Sequence, residues 1–536
     1  MKNVNMLTAL TDNIVIDNTK CVACGECVER CILDNLRLKL PPCAGACPLG
    51  LNARGYVNLI ARGEDVKALE LVYKTLPFPG ILGRVCSRPC EEDCHRNATG
   101  KSAVSIRDLK RYLADTVGKD HPYKPVPGAD TGKKAAVVGA GPAGLMAAHD
   151  LRLKGHEVVL YDAEEEAGGM LRWGIPAFRL PVEIVRAEIN AVLSMGITFE
   201  GGRRLGKDLR LAKLRDEFDA VILAAGCEVS KELNFAAGRD TIRYGLEFLR
   251  DLRAGVPGPV GKRVVVIGGG NVAVDAAQSA LRLGAEEVTM VSLEAEDNLP
   301  AFPWAIEDAR QEGVKLLPSW GPVRWMDDGQ APRLEFQRCD GVYDGEGRFN
   351  PCLNACETMS LEADTVIIAA GQAVDAGLFD GLALRPDGGP VYDELTLQNS
   401  VGKIFFAGDC VTGPSSVVGA MASGRRAAES ADRFMAGEHL RYGRLYDGPV
   451  LRDYEIDVSG GVSTPRAEAP RRRFSGAGDF REIEGALTPE TARQEARRCY
   501  SCGGPFGMHR TCWFCLPCEV ECPEEALRVE IPYLLR

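Results

Sequence analysis

The chain has 536 residues, too many for one hydrophobic core and enough for three or four units of ordinary domain size. Its net charge of -11 excludes nucleic acid as the main partner, because phosphate binding needs clustered lysine and arginine. Met1 to Lys20 holds Asp12, Asp17 and no long apolar core, and no run reaches membrane-spanning length, so a cytoplasmic protein without a membrane span is expected. Twenty cysteines are the anomaly: nine fall between Cys21 and Cys94 and six between Cys499 and Cys522. In a long chain with no secretory signal such clusters point to metal rather than disulfides.

Asn13 to Ile16 reads as a short strand leading into Cys21-x2-Cys24-x2-Cys27-x3-Cys31, the spacing of a bacterial ferredoxin half. A zinc knuckle is the weaker alternative, since zinc favours paired Cys-x2-Cys units. Cys43-x3-Cys47 and Cys86-x3-Cys90-x3-Cys94 follow. Between them Val57, Ile60, Val66, Leu69 and Val72 recur at helical spacing, and Val104 to Leu113 reads as another helix. The Pro- and Gly-rich run from Pro122 to Gly132 is the expected linker out of this small helical unit.

Lys134 to Leu145, KAAVVGAGPAGL, is a buried strand that breaks into Gly139, Gly141 and Gly144 and resumes as a helix. The first glycine makes the turn, the second admits a pyrophosphate, and the third lets helix pack on strand. Phosphate then meets the free N–H groups of the helix N-terminus. A second apolar run, Glu157 to Tyr161, delivers Asp162, 23 residues beyond Gly139, where a ribose hydroxyl is expected. The pattern returns at Lys262 to Ala277, with Gly268, Gly270 and Ala273 at the glycine positions, Asn271 and Val272 opening the helix, and Val288 to Val291 as the next strand. Glu294, 26 residues beyond Gly268, would accept from a 2'-hydroxyl and repel a 2'-phosphate, which favours NADH over NADPH; the alternative is a solvated loop acid.

Ala220 to Gly226 and Thr365 to Gly371 are buried strands ending in small residues, suited to crossings between domains. Lys403 to Asp409 reads as a strand delivering Asp409 to a helix start, with Gly413 to Ala428 as that helix; Asp409 is expected at a ribityl chain or as a cap, and N–H groups near Val417 and Val418 face the flavin. Pro449 to Leu487 reads as an extended connector, and Thr488-Pro489-Glu490 caps a helix. Cys499-x2-Cys502 and a second complete ferredoxin spacing, Cys512, Cys515, Cys518 and Cys522, close the chain.

GRVCSRPCEEDC (Gly83 to Cys94), GAGPAGL (Gly139 to Leu145), AGGMLRWGIPAFRLP (Ala167 to Pro181), GGGNVAVDAA (Gly268 to Ala277) and AGDCVTGPSSVVGAMASGRRAA (Ala407 to Ala428) stand in unbroken order over roughly residues 40 to 440. In these the chain resembles the small subunit of glutamate synthase and the equivalent half of dihydropyrimidine dehydrogenase. The resemblance implies FAD in the first glycine site, with Gly169, Met170, Gly408, Asp409 and Val418 around it. It implies a nicotinamide nucleotide in the second, with Gly371 at its edge, and hydride transfer between them. LRLKLPP stands before Cys43 where the family usually has a Cys-x2-Cys, and Lys110 where it commonly has a Glu or Gln linked to its second cluster. Where NADPH-using relatives resemble VTVVYRRS, this chain has VTMVSLEA, Val288 to Ala295.

The expected architecture is α/β: two Rossmann-like domains, the FAD domain interrupted by the NAD domain, with a helical iron-sulfur domain and ferredoxin-like terminal modules. Expected bounds are 1–39 for a ferredoxin-like half, 40–125 for the helical domain, 126–255 and 373–445 for the FAD domain, 256–372 for the NAD domain, 446–487 for the connector and 488–536 for the C-terminal module. If the ferredoxin halves fold together, crossed ligation joins Cys21, Cys24 and Cys27 to Cys522, and Cys512, Cys515 and Cys518 to Cys31. Cys499 and Cys502 would then join Cys43 and Cys94, leaving Cys47, Cys86 and Cys90 with an unassigned fourth ligand. The reading is an NADH-linked electron-transfer subunit carrying FAD and three to four [4Fe-4S] clusters, serving other subunits of an oxidoreductase complex or a ferredoxin. Glutamate synthase small subunit proper and a disulfide reductase are the alternatives; the second would need a redox pair among Cys227, Cys339, Cys352, Cys356 and Cys410, with Cys352 and Cys356 expected in a loop.

Overall fold

A computed structural model describes residues 13–233, 235, 241–326, 332–379, 381–385, 389–446, 448–458, 462–508, 512 and 514–530. The first twelve residues of the expected N-terminal module and the last six of the C-terminal one lie outside the described residues.

Strands β1 (Ile14–Ile16) and β2 (Leu36–Lys39) flank the first cysteine run. The helical region follows as α1 (Ala53–Arg62), α2 (Asp65–Tyr73), α3 (Pro79–Val85) and α4 (Ile106–Tyr112). The apolar spacing before Leu76 resolves into two helices because Gly63, at φ 82°, ends α1 in the left-handed region. Val57, Ile60, Leu69 and Val72 are buried, whereas Val66, at the start of α2, is exposed.

Strand β3 (Lys134–Val138), α5 (Pro142–Leu153), β4 (Glu157–Tyr161), α6 (Val182–Leu193), β5 (Thr198–Glu200) and β6 (Ala220–Leu223) build the first nucleotide fold. The second contains β7 (Ile242–Tyr244), β8 (Arg263–Ile267), α7 (Asn271–Arg282), β9 (Glu287–Ser292) and β10 (Lys315–Pro318). An antiparallel meander of β11 (Trp320–Met326), β12 (Arg333–Tyr343) and β13 (Phe349–Glu362) is inserted before β14 (Thr365–Ile368). The chain then returns to the first fold with β15 (Ile404–Phe406) and α8 (Val417–Ala436). Beyond it lie β16 (Val450–Leu451), α9 (Pro489–Ala496), β17 (Gly504–Gly507) and β18 (Leu527–Val529).

The two large sheets are parallel and run β15-β6-β3-β4-β5 and β10-β9-β8-β14-β7. Buried on both faces, their strands are nearly continuous apolar runs, as this arrangement requires. Val229–Ser230 and Gln372–Ala373 pair antiparallel where the chain crosses between the folds. The change of fold therefore lies at this pair, and β7, upstream of the expected boundary at 256, already belongs to the second sheet. Cys352 and Cys356 lie in strand β13, not in a loop. Polar composition misled there because β13 pairs along one edge and faces solvent over most of its length.

One core runs without interruption from the helical region (Val57, Ile60, Leu69) through Leu145 and Leu151 of α5 to Phe405 and Met421. The helical unit and the first nucleotide fold are thus one packed body. Arg425 of α8 reinforces the junction, pairing with Asp150 and donating to the Leu49 and Thr75 carbonyls. The connector is strapped down by buried arginines: Arg84 and Arg111 reach Glu482, and Arg107 reaches Glu484. The chain ends meet, since β1 pairs antiparallel with β18 and β2 lies between β16 and β17. Thr488 caps α9 by accepting the Thr491 N–H, as the Thr-Pro pair predicts. Among the described residues no helix is long and apolar enough to cross a membrane.

Helix α7 docks the second fold on the first. Arg179 donates to both carboxylate oxygens of buried Asp275 at 2.7 and 2.8 Å, and Arg282 packs over Phe178 and Phe474 while pairing with Glu312. Removing one partner of a buried pair strands the other charge. Arg179→Ala is expected to destabilise the domain junction by about 3–5 kcal/mol, and Arg179→Ala/Asp275→Ala by less, read by denaturant unfolding. A loss in the double variant equal to the sum of the Arg179→Ala and Asp275→Ala losses would mean the pair is not coupled.

Candidate functional site

The first glycine loop is shaped by close backbone approach. Gly139 sits at φ 105°, and a Cβ on it would stand 2.3 Å from the Ala224 carbonyl oxygen at the end of β6. A Cβ on Gly144 would lie 1.8 Å from the Gly139 oxygen, so only glycine lets α5 meet β3 this closely. At Gly141 the surroundings open: the nearest atom to an added Cβ is the Gly169 Cα at 3.9 Å. Gly168 and Gly169, both at positive φ, fold Met170 and its short helix over that opening. Asp162 secures the loop, accepting the Ala140 N–H at 2.6 Å and the Glu164 N–H at 2.8 Å. Each oxygen keeps a lone pair for a hydroxyl. Burial pushes the Asp162 carboxyl up.

Helix α8 closes the other side. A Cβ on Gly424 would stand 2.0 Å from the Ala143 carbonyl oxygen, and one on Gly408 2.8 Å from the Ala143 Cβ. Ser416 caps α8 through the Gly419 N–H, which leaves the first-turn N–H groups of Val417 and Val418 outside the helix ladder. Asp409 does not act as a side-chain cap; it accepts the Ser415 hydroxyl at 2.7 Å, and burial pushes its carboxyl up.

The second loop repeats the first. Gly268 is at φ 137°, with a Cβ position 2.3 Å from the Ala369 carbonyl oxygen at the end of β14, and a Cβ on Gly270 would meet nothing within 4 Å. Asn271 accepts the Phe302 N–H, and Val272 packs beneath Gly245. Glu294 leans over this loop: its Oε2 would be 2.9 Å from a Cβ on Gly269. Gly371, at φ 112°, turns the chain just past β14 beside Lys231.

The fifteen terminal cysteines fall into four nests. Cys21, Cys24, Cys27 and Cys522 line one cavity. Cys43, Cys94, Cys499 and Cys502 line another, of about 30 Å³. Cys31, Cys512 and Cys518 share a small core with β1 and β18, and the Cys518 thiol is pushed up to about 11 by burial and then by Cys31, Cys512 and Cys515. Cys86 and Cys90 neighbour one another beside Lys110, with Cys47 close to Tyr56 on the same side. Lys110 is buried on α4, and among the described residues no carboxylate pairs with it. No three Cys, His, Asp or Glu side chains among the described residues converge on a single bare ion. The thiols ring cavities instead.

The loops around the nests share a strained geometry. Ala23 and Phe514 precede the second cysteine of each ferredoxin spacing at φ 52° and 56°, and Gly25 and Leu516 follow it at 88° and 68°. Asp34 and Glu525 match again at 53° and 48°, while Ser501 and Arg88 do the same between Cys499 and Cys502 and between Cys86 and Cys90. Left-handed non-glycine residues cost about 1–3 kcal/mol each and persist where a site needs them. The turns aim backbone N–H groups at sulfur: Ala23 at Cys21, Asn35 and Leu36 at Cys31, Ser501 at Cys499, and Ala526 at Cys522. Such donors serve thiolates held by iron, and the donor set fits [4Fe-4S] clusters. One more donor lay beyond sequence reasoning. Arg54, 1% exposed, lines the Cys43 nest with Nε and Nη1 unpartnered.

Residues 133–424 match the family described as pyridine nucleotide-disulphide oxidoreductase. The chain belongs to that family. Residues 4–121 match dihydropyrimidine dehydrogenase domain II, 4Fe-4S cluster. The chain is 35% identical to the NADP(+)-dependent formate dehydrogenase subunit beta of Moorella thermoacetica, over 86% of this chain and 70% of that one. It is 31% identical to the NADPH-Fe(3+) oxidoreductase subunit beta of Geobacter sulfurreducens, over 86% and 75%. The glutamate synthase [NADPH] small chain of Escherichia coli is 31% identical over 76% of this chain and 89% of its own. The protein is therefore a flavin- and NAD(P)H-linked iron-sulfur oxidoreductase subunit of the electron-transfer type.

All twenty cysteines are unpaired. Cys227 and Cys410 lie beside Asp409, buried, with thiols pushed up to about 12 and about 11 chiefly by burial. Both donate to main-chain carbonyls, Cys227 to Asp409 and Cys410 to Leu223 and Ala407. Cys352 and Cys356 are exposed on the meander.

Gly144→Ala places a methyl group where the Gly139 oxygen stands and forces α5 off β3. Overpacking of this kind costs about 1–3 kcal/mol, so FAD is expected to bind about ten- to a hundredfold more weakly. Flavin absorbance retained on desalting checks this, and stoichiometric flavin in the variant would refute it.

Proposed function

We propose that the chain is an NADH-linked subunit that passes hydride between NAD(H) and FAD and single electrons through [4Fe-4S] clusters to or from a partner oxidoreductase or ferredoxin. The observation that supports this reading is the single core that runs from beneath the first glycine cradle to Cys24, Cys43, Cys47, Cys86, Cys90, Cys94 and Cys499. Flavin, when bound, exchanges an electron pair with nicotinamide and single electrons with clusters. The chain's own residues bind and orient: Gly139, Gly141, Gly144, Asp162, Gly169, Met170, Gly408, Asp409 and Val418 toward FAD, and Gly268, Gly270, Asn271, Val272, Glu294 and Gly371 toward NAD. The proposed ligand sets are Cys21, Cys24, Cys27 and Cys522; Cys512, Cys515, Cys518 and Cys31; and Cys43, Cys94, Cys499 and Cys502. Cys47, Cys86 and Cys90 form a fourth, incomplete set beside Lys110.

Unpaired cysteines throughout favour a reducing, cytoplasmic setting. Partnership with other subunits is supported by the names of the relatives, two of which are beta subunits. Those relatives are named for NADP(+) or NADPH, so the preference for NADH rests on this chain's own residues. Glu294 overhangs the second glycine loop, where a 2'-phosphate would meet a carboxylate.

Gly141→Val fills the opening of the first cradle. Flavin is expected to be lost while iron per chain stays unchanged, and NADH no longer reduces the clusters; cluster reduction by NADH in that flavin-free chain would place the electron junction elsewhere. For the coenzyme, kcat/KM with NADH should exceed that with NADPH, and Leu293→Arg/Glu294→Arg should cut the ratio at least about tenfold, near 1.4 kcal/mol. A wild-type preference for NADPH would overturn the assignment.

A further inference from the structure

Four arginines are among the most completely buried side chains of the protein: Arg54, Arg96, Arg282 and Arg498. The other three are each held by named acceptors, although Arg282 keeps an unpartnered Nε. Arg282 and Arg498 pair with Glu312 and Glu495, and Arg96 donates to the carbonyls of Ser102, Val462 and Arg498. Arg54 differs, because its Nε and Nη1 have no acceptor and, among the described residues, no carboxylate pairs with it. A buried cation left like this costs several kcal/mol unless a negative group completes the site.

The surroundings identify that group. Arg54 lines the cavity of Cys43, Cys94, Cys499 and Cys502. It stands in the first turn of α1, whose N-cap is Asn52. The unpartnered guanidinium atoms therefore belong to a residue that lines the four-cysteine nest. Asn52 also donates to the Val22 and Ala23 carbonyls inside the neighbouring Cys21 loop, so this helix end joins two nests.

We propose that Arg54 is a redox-tuning residue for the cluster of Cys43, Cys94, Cys499 and Cys502, donating to its sulfur atoms and raising its reduction potential. This rests on the reading that the nest holds a [4Fe-4S] cluster. Taking up one electron makes the cluster more negative, and a guanidinium cation stabilises that state more than the oxidised one. The step moves one electron and no proton.

The test is a redox titration of the full chain followed by electron paramagnetic resonance, with Cys502→Ser identifying the signal of this cluster. At the wild-type midpoint, Arg54→Gln should lower the ratio of reduced to oxidised cluster about tenfold, equivalent to about 59 mV for one electron. Arg54→Lys, which keeps the charge but not the forked donors, should shift it less. Iron content and the other midpoints should stay unchanged in both. An unshifted midpoint with iron retained overturns the proposal, as does loss of about four irons from both Arg54 variants, which would make the residue a structural support of the nest. If Cys502→Ser alters neither iron content nor any resonance signal, the underlying cluster reading fails instead.

Discussion

Two carbonyl oxygens set the geometry of the nucleotide folds. Ala224 follows β6, the neighbour of β3, and Ala369 follows β14, the neighbour of β8 in the other sheet; each points its oxygen to within 2.3 Å of where a Cβ would project from Gly139 or Gly268. No side chain fits there, so the chain must turn sharply from strand to helix at both places. That turn aims a helix N-terminus, with its unsatisfied N–H groups, at the open space above Gly141 and Gly270. The same constraint used twice produces two cradles of one shape, and the paired crossing segments at 229–230 and 372–373 hold the folds in one order.

The cysteine nests are built on a different principle. Their loops accept left-handed backbone at non-glycine residues, repeated at matching positions in both terminal modules. Strain of this kind is tolerated because β1 pairs with β18 and β2 pairs with β17, closing the chain ends on each other. Cys522 thereby reaches the Cys21 loop and Cys31 reaches the Cys512 loop. The connector, expected to be extended, is what carries the C-terminal cysteines back across the helical region, and Arg84, Arg107 and Arg111 fix its path through Glu482 and Glu484.

The two systems meet in one core. Because helical region and first nucleotide fold share buried side chains from Val57 to Met421, neither can shift without the other. The second fold keeps its own core and is attached through α7 by Arg179 and Arg282. One core beneath the first glycine cradle and part of the cysteine loops, with a separately packed second fold, suits chemistry in which bound cofactors react and the protein maintains their spacing.

The sequence by itself determined the local structures. Glycine spacing after apolar runs marked both cradles, cysteine spacing marked the ferredoxin halves, and Thr488-Pro489 marked a helix start, because each depends on residues within a few positions. It also supported the fold class, since two strand-glycine-helix units imply two parallel sheets. Tertiary structure alone decided the rest. Val66 lies outside the core although its spacing matches, β7 joins the second sheet ahead of the expected boundary, and polar β13 is a strand because its partner β12 is one. Arg54 carried no signal at all: an arginine at the start of an amphipathic helix reads as solvated surface. Only the return of Cys499 and Cys502 from the far end of the chain encloses it, and long-range closure of that kind leaves no trace in local spacing.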